Sequence, residues 1–161
     1  MICAFREALN PLPTSGVGEY ARTKYTKMTT GPDTTSVKDD ISCMAKELAD
    51  AVSRRDAEAA ARYVRADNHV AYVSDGSVIR GNEYLSVLER FYAGMKRIDF
   101  QWKQTEIRVI DPHTGVVTGW ASIALTDARG ETTVERAVFT LVFACRDSEW
   151  ELVSAHRTTV R

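Results

Sequence analysis

Two side chains in this 161-residue chain combine acid–base chemistry with a position in the pattern that could use it: His156 and Glu135. His156 lies in the segment Trp150-Glu-Leu-Val-Ser-Ala-His-Arg-Thr158. That segment alternates strictly, with Trp150, Leu152, Ser154, His156 and Thr158 on one face and Glu151, Val153, Ala155, Arg157 and Thr159 on the other. A face that opens with Trp and Leu and continues with Ser, His and Thr passes from packed core to polar cavity. It marks the mouth of a pocket. An imidazole there can act as acid or base near neutral pH; it can equally serve as a core histidine that hydrogen-bonds a neighbour. Glu135 is the acid that shares this face away from the turns. In an apolar cavity it could serve as general base; on an open rim it is solvated or paired with an arginine.

Other chemistries are less well supported. His69 starts a strand and His113 sits in a hairpin loop, so three scattered histidines do not make a metal site. Cys3, Cys43 and Cys145 are odd in number and widely spaced, which supports neither a zinc site nor a disulfide framework. Cys43 reads as core on the buried side of the first helix. A reducing, cytoplasmic compartment is therefore expected. The 21 basic and 22 acidic residues give a net charge of -1, so no basic face for nucleic acid is implied. No apolar run approaches the length that spans a bilayer. Residues 1 to 35 have turn and linker composition, Asn10-Pro-Leu-Pro-Thr-Ser-Gly16 and Thr29-Thr-Gly-Pro-Asp-Thr-Thr35, and read as a tail before a domain spanning 36–161. Met28, where the polar lead-in to the domain begins, is an alternative start to Met1, and N-terminal sequencing of the native protein decides between them.

The elements that must hold these side chains can be read in order. Ser36 is a plausible N-cap, and Ile41, Met44, Ala45, Leu48, Ala51 and Val52 recur at helical spacing, predicting a helix over 37–54. Asp56 caps a short second helix, 57–64. A strand follows at 68–74, then an Asp75-Gly76 turn, a return through Val78 and Ile79, and a third helix from Gly81 to about Lys96. From residue 98 the pattern is β, with strands near 99–110, 116–126, 131–146 and 149–160 joined by hairpin loops. Helices first and a long antiparallel meander after predict an α+β fold, the helices packed on one face of a bent sheet.

This order resembles the nuclear-transport-factor-2-like (NTF2-like) superfamily, in its SnoaL-like and ketosteroid-isomerase-like small bacterial members. The resemblance is carried by Ser53 to Tyr63, the strand ending Ser74-Asp-Gly76, Gly81 before a helix, Val116-Val-Thr-Gly-Trp120, and Trp150 to Thr158. The pattern Trp150-x-x-Val153-x-x-His156-Arg157-Thr158 also resembles the last strand of the calmodulin-dependent kinase association domain, which has Ser in place of Thr158. The resemblance covers 36–161. It implies a cone of three helices in the concave face of a strongly bent, mostly antiparallel sheet. The fold hosts many activities, so it does not name one. Asp67 sits near where ketosteroid-isomerase-like enzymes carry a base, but their oxyanion-hole Tyr and protonated Asp have no counterpart here, which argues against classical steroid isomerisation.

Register follows from the loops. If Thr126 faces Glu131, then Trp120 opposes Ala137, Thr118 opposes Phe139 and Ser122 opposes Glu135. If Arg146 faces Glu149, then Phe139 opposes His156, Leu141 opposes Ser154 and Ala137 opposes Thr158. Both hairpins then put Thr118, Trp120, Ser122, Glu135, Phe139, Ser154, His156 and Thr158 on the concave face. Tyr63, Tyr72 and Trp102 are further candidates to line the pocket, or are simply core. Glu135 and His156 would stand about 13 Å apart along the strand direction, too far to touch. Strand 99–110 stays open. One loop length turns Trp102, Gln104, Glu106 and Arg108 inward; a loop shorter by one residue turns Thr105, Ile107 and Val109 inward. Alternation puts Arg157 on the convex face unless a bulge intervenes. That face carries Val134, Val138, Val142 and Val153 and is too apolar to leave in water, so a homodimer through it is expected, in line with the superfamily's back-to-back dimers. The expected function is a pocket for a small hydrophobic or aromatic molecule. Its chemistry would be cofactor-free proton transfer of the isomerase, dehydratase or cyclase type, with no metal. The alternative is a non-catalytic dimeric association or ligand-sensing module.

Overall fold

The computed structural model describes residues 34–64 and 70–160. The element order is α1 (Thr34–Arg54), α2 (Ala57–Ala61), β1 (Ala71–Ser74), β2 (Ser77–Arg80), α3 (Gly81–Ala93), β3 (Met95–Asp111), β4 (Thr114–Asp127), β5 (Thr132–Arg146) and β6 (Glu149–Val160). The six strands form one sheet in the order β2-β1-β6-β5-β4-β3. All neighbours are antiparallel except β1 and β6, which run parallel. This is the α+β arrangement of helices against a mostly antiparallel sheet.

α1 starts at Thr34 rather than at 37, so Ser36 lies inside its first turn. Its buried stripe, Val37, Ile41, Met44, Ala45, Ala49 and Ala51, follows the helical period and packs on the sheet. Ile41, Phe143, Leu152 and Val117 are the largest fully buried side chains, so the base of the core lies between α1 and the middle of the sheet. Complete burial of each stabilises the fold by about 1.5–3 kcal/mol. α2 begins where Asp56 accepts the Ala59 N–H through Oδ1 at 2.9 Å, and it ends at Ala61, shorter than the sequence implied. Cys43 is exposed, not core: its Sγ donates to Glu47 Oε1 at 3.6 Å on the solvent side of α1. Asp67 and His69 lie outside the described residues. His113 is exposed in the β3–β4 turn.

The register departs from expectation in three places, and each departure has a local cause. Thr126 pairs with Thr132, not Glu131. The loop is one residue longer because Asp127 Oδ1 accepts from both Arg129 N and Glu131 N at 2.9 Å, organising a five-residue turn around its own side chain. The pairings of β4 with β5 therefore shift by one: Trp120 faces Val138, Thr118 faces Thr140 and Ser122 faces Arg136. The β5–β6 turn is as expected, with Arg146 facing Glu149 across Asp147 and Ser148, both at positive φ. The register then slips, because Phe143 pairs with Leu152 while Val142 pairs with Ser154, leaving Val153 as the extra residue of a bulge. It falls where the other edge of β6 passes from a bridge to Val64 onto β1. The third departure is a bulge that skips Lys103, between Trp102 opposite Ala121 and Gln104 opposite Trp120. Gly119 admits it: a Cβ on Gly119 would lie 2.3 Å from the Gln104 carbonyl oxygen.

Beyond each slip, every side chain of the shifted strand changes face relative to the expected pairing. Val117, Ala121, Ile123 and Ala155 are buried on the concave side. Trp120, Thr118, Ser122, Ser154, His156 and Thr158 belong to the convex side, not to the pocket. On β3 the bulge reconciles the two open readings. Trp102 points in, its Nε1 donating to the Ala45 carbonyl at 3.2 Å, and Ile107 and Val109 pack on the core as well. Gln104, Glu106 and Arg108 are exposed.

Candidate functional site

The cone is not completely filled. Its narrow end is closed by Phe100, Trp102 and Phe139, whose ring centroids lie 5.1–5.5 Å apart in edge and tilted contacts. Between these rings and α3 lies a cavity of about 310 Å³. β1 supplies Tyr72 and Ser74, β2 supplies Ile79, and α3 supplies Tyr84, Val87, Leu88, Phe91 and Tyr92. Across from them stand Val52, Ile98, Phe100, Ile123, Leu125 and Phe139. The wall is apolar and aromatic apart from one charged pair, Glu135 on β5 and Arg157 on β6.

Arg157 reaches this wall because the Val153 bulge reverses the alternation of β6. Its Nη1 bonds Asp75 Oδ2 at 2.7 Å and the Ser74 hydroxyl at 3.2 Å, and its Nη2 bonds Glu135 Oε2. The Arg157 side chain is only 18 % exposed, against 27 % for Glu135 and 42 % for Asp75. Asp75 is held in place by the β1–β2 turn, where it and Gly76 both take positive φ. Its Oδ1 accepts the Thr159 N–H at 2.7 Å and its Oδ2 the Thr159 hydroxyl at 3.0 Å. The backbone bond from Thr159, followed by its hydroxyl and the Arg157 charge, holds the Asp75 carboxyl below the usual range. A turn, a bulge and the first part of β5 thus converge on one guanidinium.

Three tyrosines form the polar component of the apolar wall. Tyr72 and Tyr84 contact each other with ring centroids 5.4 Å apart. Burial raises the phenol pKa of Tyr72, Tyr84 and Tyr92, so all three are neutral donors across the physiological range. The Tyr92 hydroxyl is buried with no hydrogen-bond partner among the described residues.

The residues singled out from the sequence divide cleanly. Glu135, Tyr72 and Phe139 line the cavity. Trp102 lines a smaller space of about 50 Å³ beneath it. Tyr63 lines neither space: its hydroxyl donates to Glu47 on α1 and its carbonyl accepts Leu152 N at 2.7 Å. Burial, then the bond to Glu47, pushes the Tyr63 phenol up to about 12. His156 is exposed on the convex face, with only a 3.4 Å contact from Nε2 to Thr158 Oγ1. Thr118, Trp120, Ser122, Ser154 and Thr158 share that face. Sequence reasoning allowed Glu135 an arginine partner without identifying it as Arg157; it missed Asp75 as the second carboxylate on that guanidinium and how much of the wall α3 supplies. No group of three or more His, Cys, Asp or Glu among the described residues could hold a metal ion. No helix among them is long and apolar enough to cross a membrane.

Helices packed on one face of an open, mostly antiparallel six-stranded sheet make the α+β arrangement of the NTF2-like fold. The chain belongs to the SnoaL-like family, whose domain model matches residues 41–159. An NTF2-like superfamily protein from Salmonella enterica is similar in structure, with a TM-score of 0.70 at 14 % identity over 80 % of this chain and 94 % of that one. Hexachlorocyclohexane dehydrochlorinase LinA-type3 from Novosphingobium barchaimii aligns with a TM-score of 0.69 at 11 % identity over 80 % and 89 % of the two chains. The association domain of C. elegans CaMKII aligns with a TM-score of 0.60 at 22 % identity over 76 % and 95 %. At these identities the likeness is one of fold. No curated protein matches the sequence.

Proposed function

We propose that the chain binds a small hydrophobic or aromatic molecule in the cavity between α3 and the sheet, with Glu135 as the wall group that meets the ligand's polar end. The observation that carries this reading is a 310 Å³ space walled by apolar and aromatic side chains with a single convergent charged pair, the composition of small-molecule sites. Glu135 Oε2 is engaged by Arg157, while Oε1 makes no hydrogen bond to a described residue. Cofactor-free proton transfer in this cavity would run through that oxygen. His156 is turned to the opposite face and plays no part in it.

The test is uptake of the neutral fluorescent probe N-phenyl-1-naphthylamine by the full chain. Fluorescence enhancement is expected in the wild type and loss of it in Val87→Trp, whose indole fills the cavity, with circular dichroism showing that the variant folds. A folded Val87→Trp that takes up the probe as the wild type does would place the binding elsewhere and sink the reading.

The chain also associates with a second copy through the convex face of its sheet. Support comes from exposed Val134, Val138 and Val160 there, at 64 %, 45 % and 43 %, with Trp120 beneath the Arg136 guanidinium at 5.1 Å. An association domain among the fold neighbours agrees.

A further inference from the structure

Building on the cavity reading above, we infer that the ligand is a hydrophobic organic cation, an amine carried on an aromatic or aliphatic body, selected over neutral and anionic molecules of the same shape. The first support is charge. Among the described lining residues, the charged side chains are Glu135 and Arg157; burial keeps the tyrosines protonated. Arg157 is already committed, with one end of its guanidinium on Asp75 and Ser74 and the other on Glu135. Two carboxylates against one guanidinium leave this end of the cavity one negative charge in excess. An incoming carboxylate would find no free cation in the wall and would face like charge.

The second support is geometry. Glu135 Oε1 has no partner among the described residues and belongs to a side chain that borders the apolar space. An ammonium N–H can therefore be received there as a charge-assisted hydrogen bond. The Glu135 side chain is 27 % exposed, so a cation entering beside it keeps part of its water and its desolvation penalty is correspondingly smaller. The third support is the wall itself. Tyr72, Tyr84, Phe91, Tyr92, Phe100 and Phe139 all border the cavity, and aromatic faces attract cations through their quadrupole. Rings beside a carboxylate form the composition that recognises amines.

The experiment titrates the full chain at pH 7 by calorimetry with three probes on one skeleton: tryptamine, tryptophol and indole-3-acetate. Tryptamine is expected to bind about tenfold more tightly than tryptophol, with indole-3-acetate the weakest. Glu135→Gln keeps the shape and removes the charge; it should abolish the advantage of tryptamine over tryptophol measured on the same variant. Indole-3-acetate binding as well as tryptamine, or a tryptamine advantage that survives Glu135→Gln, would overturn the inference. Tryptophol binding with no gain for tryptamine, or uptake of N-phenyl-1-naphthylamine with none of the three bound, removes the charge selectivity and leaves the cavity reading standing. If neither the three probes nor the dye is taken up, both fall together.

Discussion

Tyr92 is the residue whose environment is least satisfied. Its hydroxyl is sealed from solvent and has no partner among the described residues. A buried polar group left unpaired costs about 1–3 kcal/mol. Tyr92→Phe removes that group and keeps the ring, so the thermal midpoint should stay level or rise, corresponding to a gain of up to about 1 kcal/mol. A marked fall would mean that the hydroxyl has a partner, and would be read directly in a melting curve. Asp75 is the opposite case, a carboxylate with every bond made. Its folded-state pKa is lowered, chiefly by the Thr159 N–H. Its stabilisation is therefore complete above the ordinary carboxylate value and is lost as the pH falls through the lowered one. The difference in thermal midpoint between wild type and Asp75→Asn should be large near neutral pH and should shrink below about pH 4. A difference that stays constant from pH 7 to pH 3 would remove Asp75 from the clasp on Arg157.

Among the elements, the bulges decide what the site contains. Gly119 permits the one on β3, since a side chain there would meet the Gln104 carbonyl oxygen at 2.3 Å and the Thr105 Cα at 3.1 Å. Both are backbone atoms and cannot swing aside. Gly119→Ala should destabilise the fold by about 1–3 kcal/mol, measured by urea titration, and should disturb Trp102, whose fluorescence reports the change. An unchanged midpoint would show that β3 tolerates a regular register. These bulges also explain which parts of the molecule could be read in advance. Helical period and capping found α1, Asp56 and α3, and alternation found every strand of the meander. β5, which carries no bulge opposite β4, keeps Glu135, Phe139 and Leu141 on the expected face. What failed was phase. The Asp127 turn holds one more residue than its composition suggests, and Val153 has no local signature of a bulge. One residue of slip exchanged His156 for Arg157 as the polar group in the cavity. The Trp150-to-Thr158 pattern contained both, and only the three-dimensional pairing with Val64 and β1 chose between them.

At the scale of the whole molecule, the sheet has two faces with different tasks. The concave one closes on α1 and α3 and leaves the cavity. The convex one sets Val138 between Trp120 on β4 and Thr158 on β6, with Val134 and Val160 exposed on the same surface. An antiparallel sheet can face water on one side, but that side then reads polar. Here Val, Thr and Ser predominate around one Trp, a flat surface suited to a second copy of itself. The charges on this face are largely offset: Arg136 lies over the Trp120 ring, and on β3 Arg108 stands 3.7 Å from Glu106 and Arg97 3.9 Å from Asp99. Val138→Asp would bury two unpaired carboxylates in a symmetric interface, one from each chain. Each costs several kcal/mol once removed from water. Sedimentation should therefore find the wild type dimeric at micromolar concentration and Val138→Asp monomeric. The variant monomer should still take up N-phenyl-1-naphthylamine, because the cavity opens on the opposite side of the sheet and no cavity-lining residue is touched. A monomeric wild type would remove the interface. Loss of dye uptake together with the dimer would mean that the two faces are coupled and that the cavity depends on the partner.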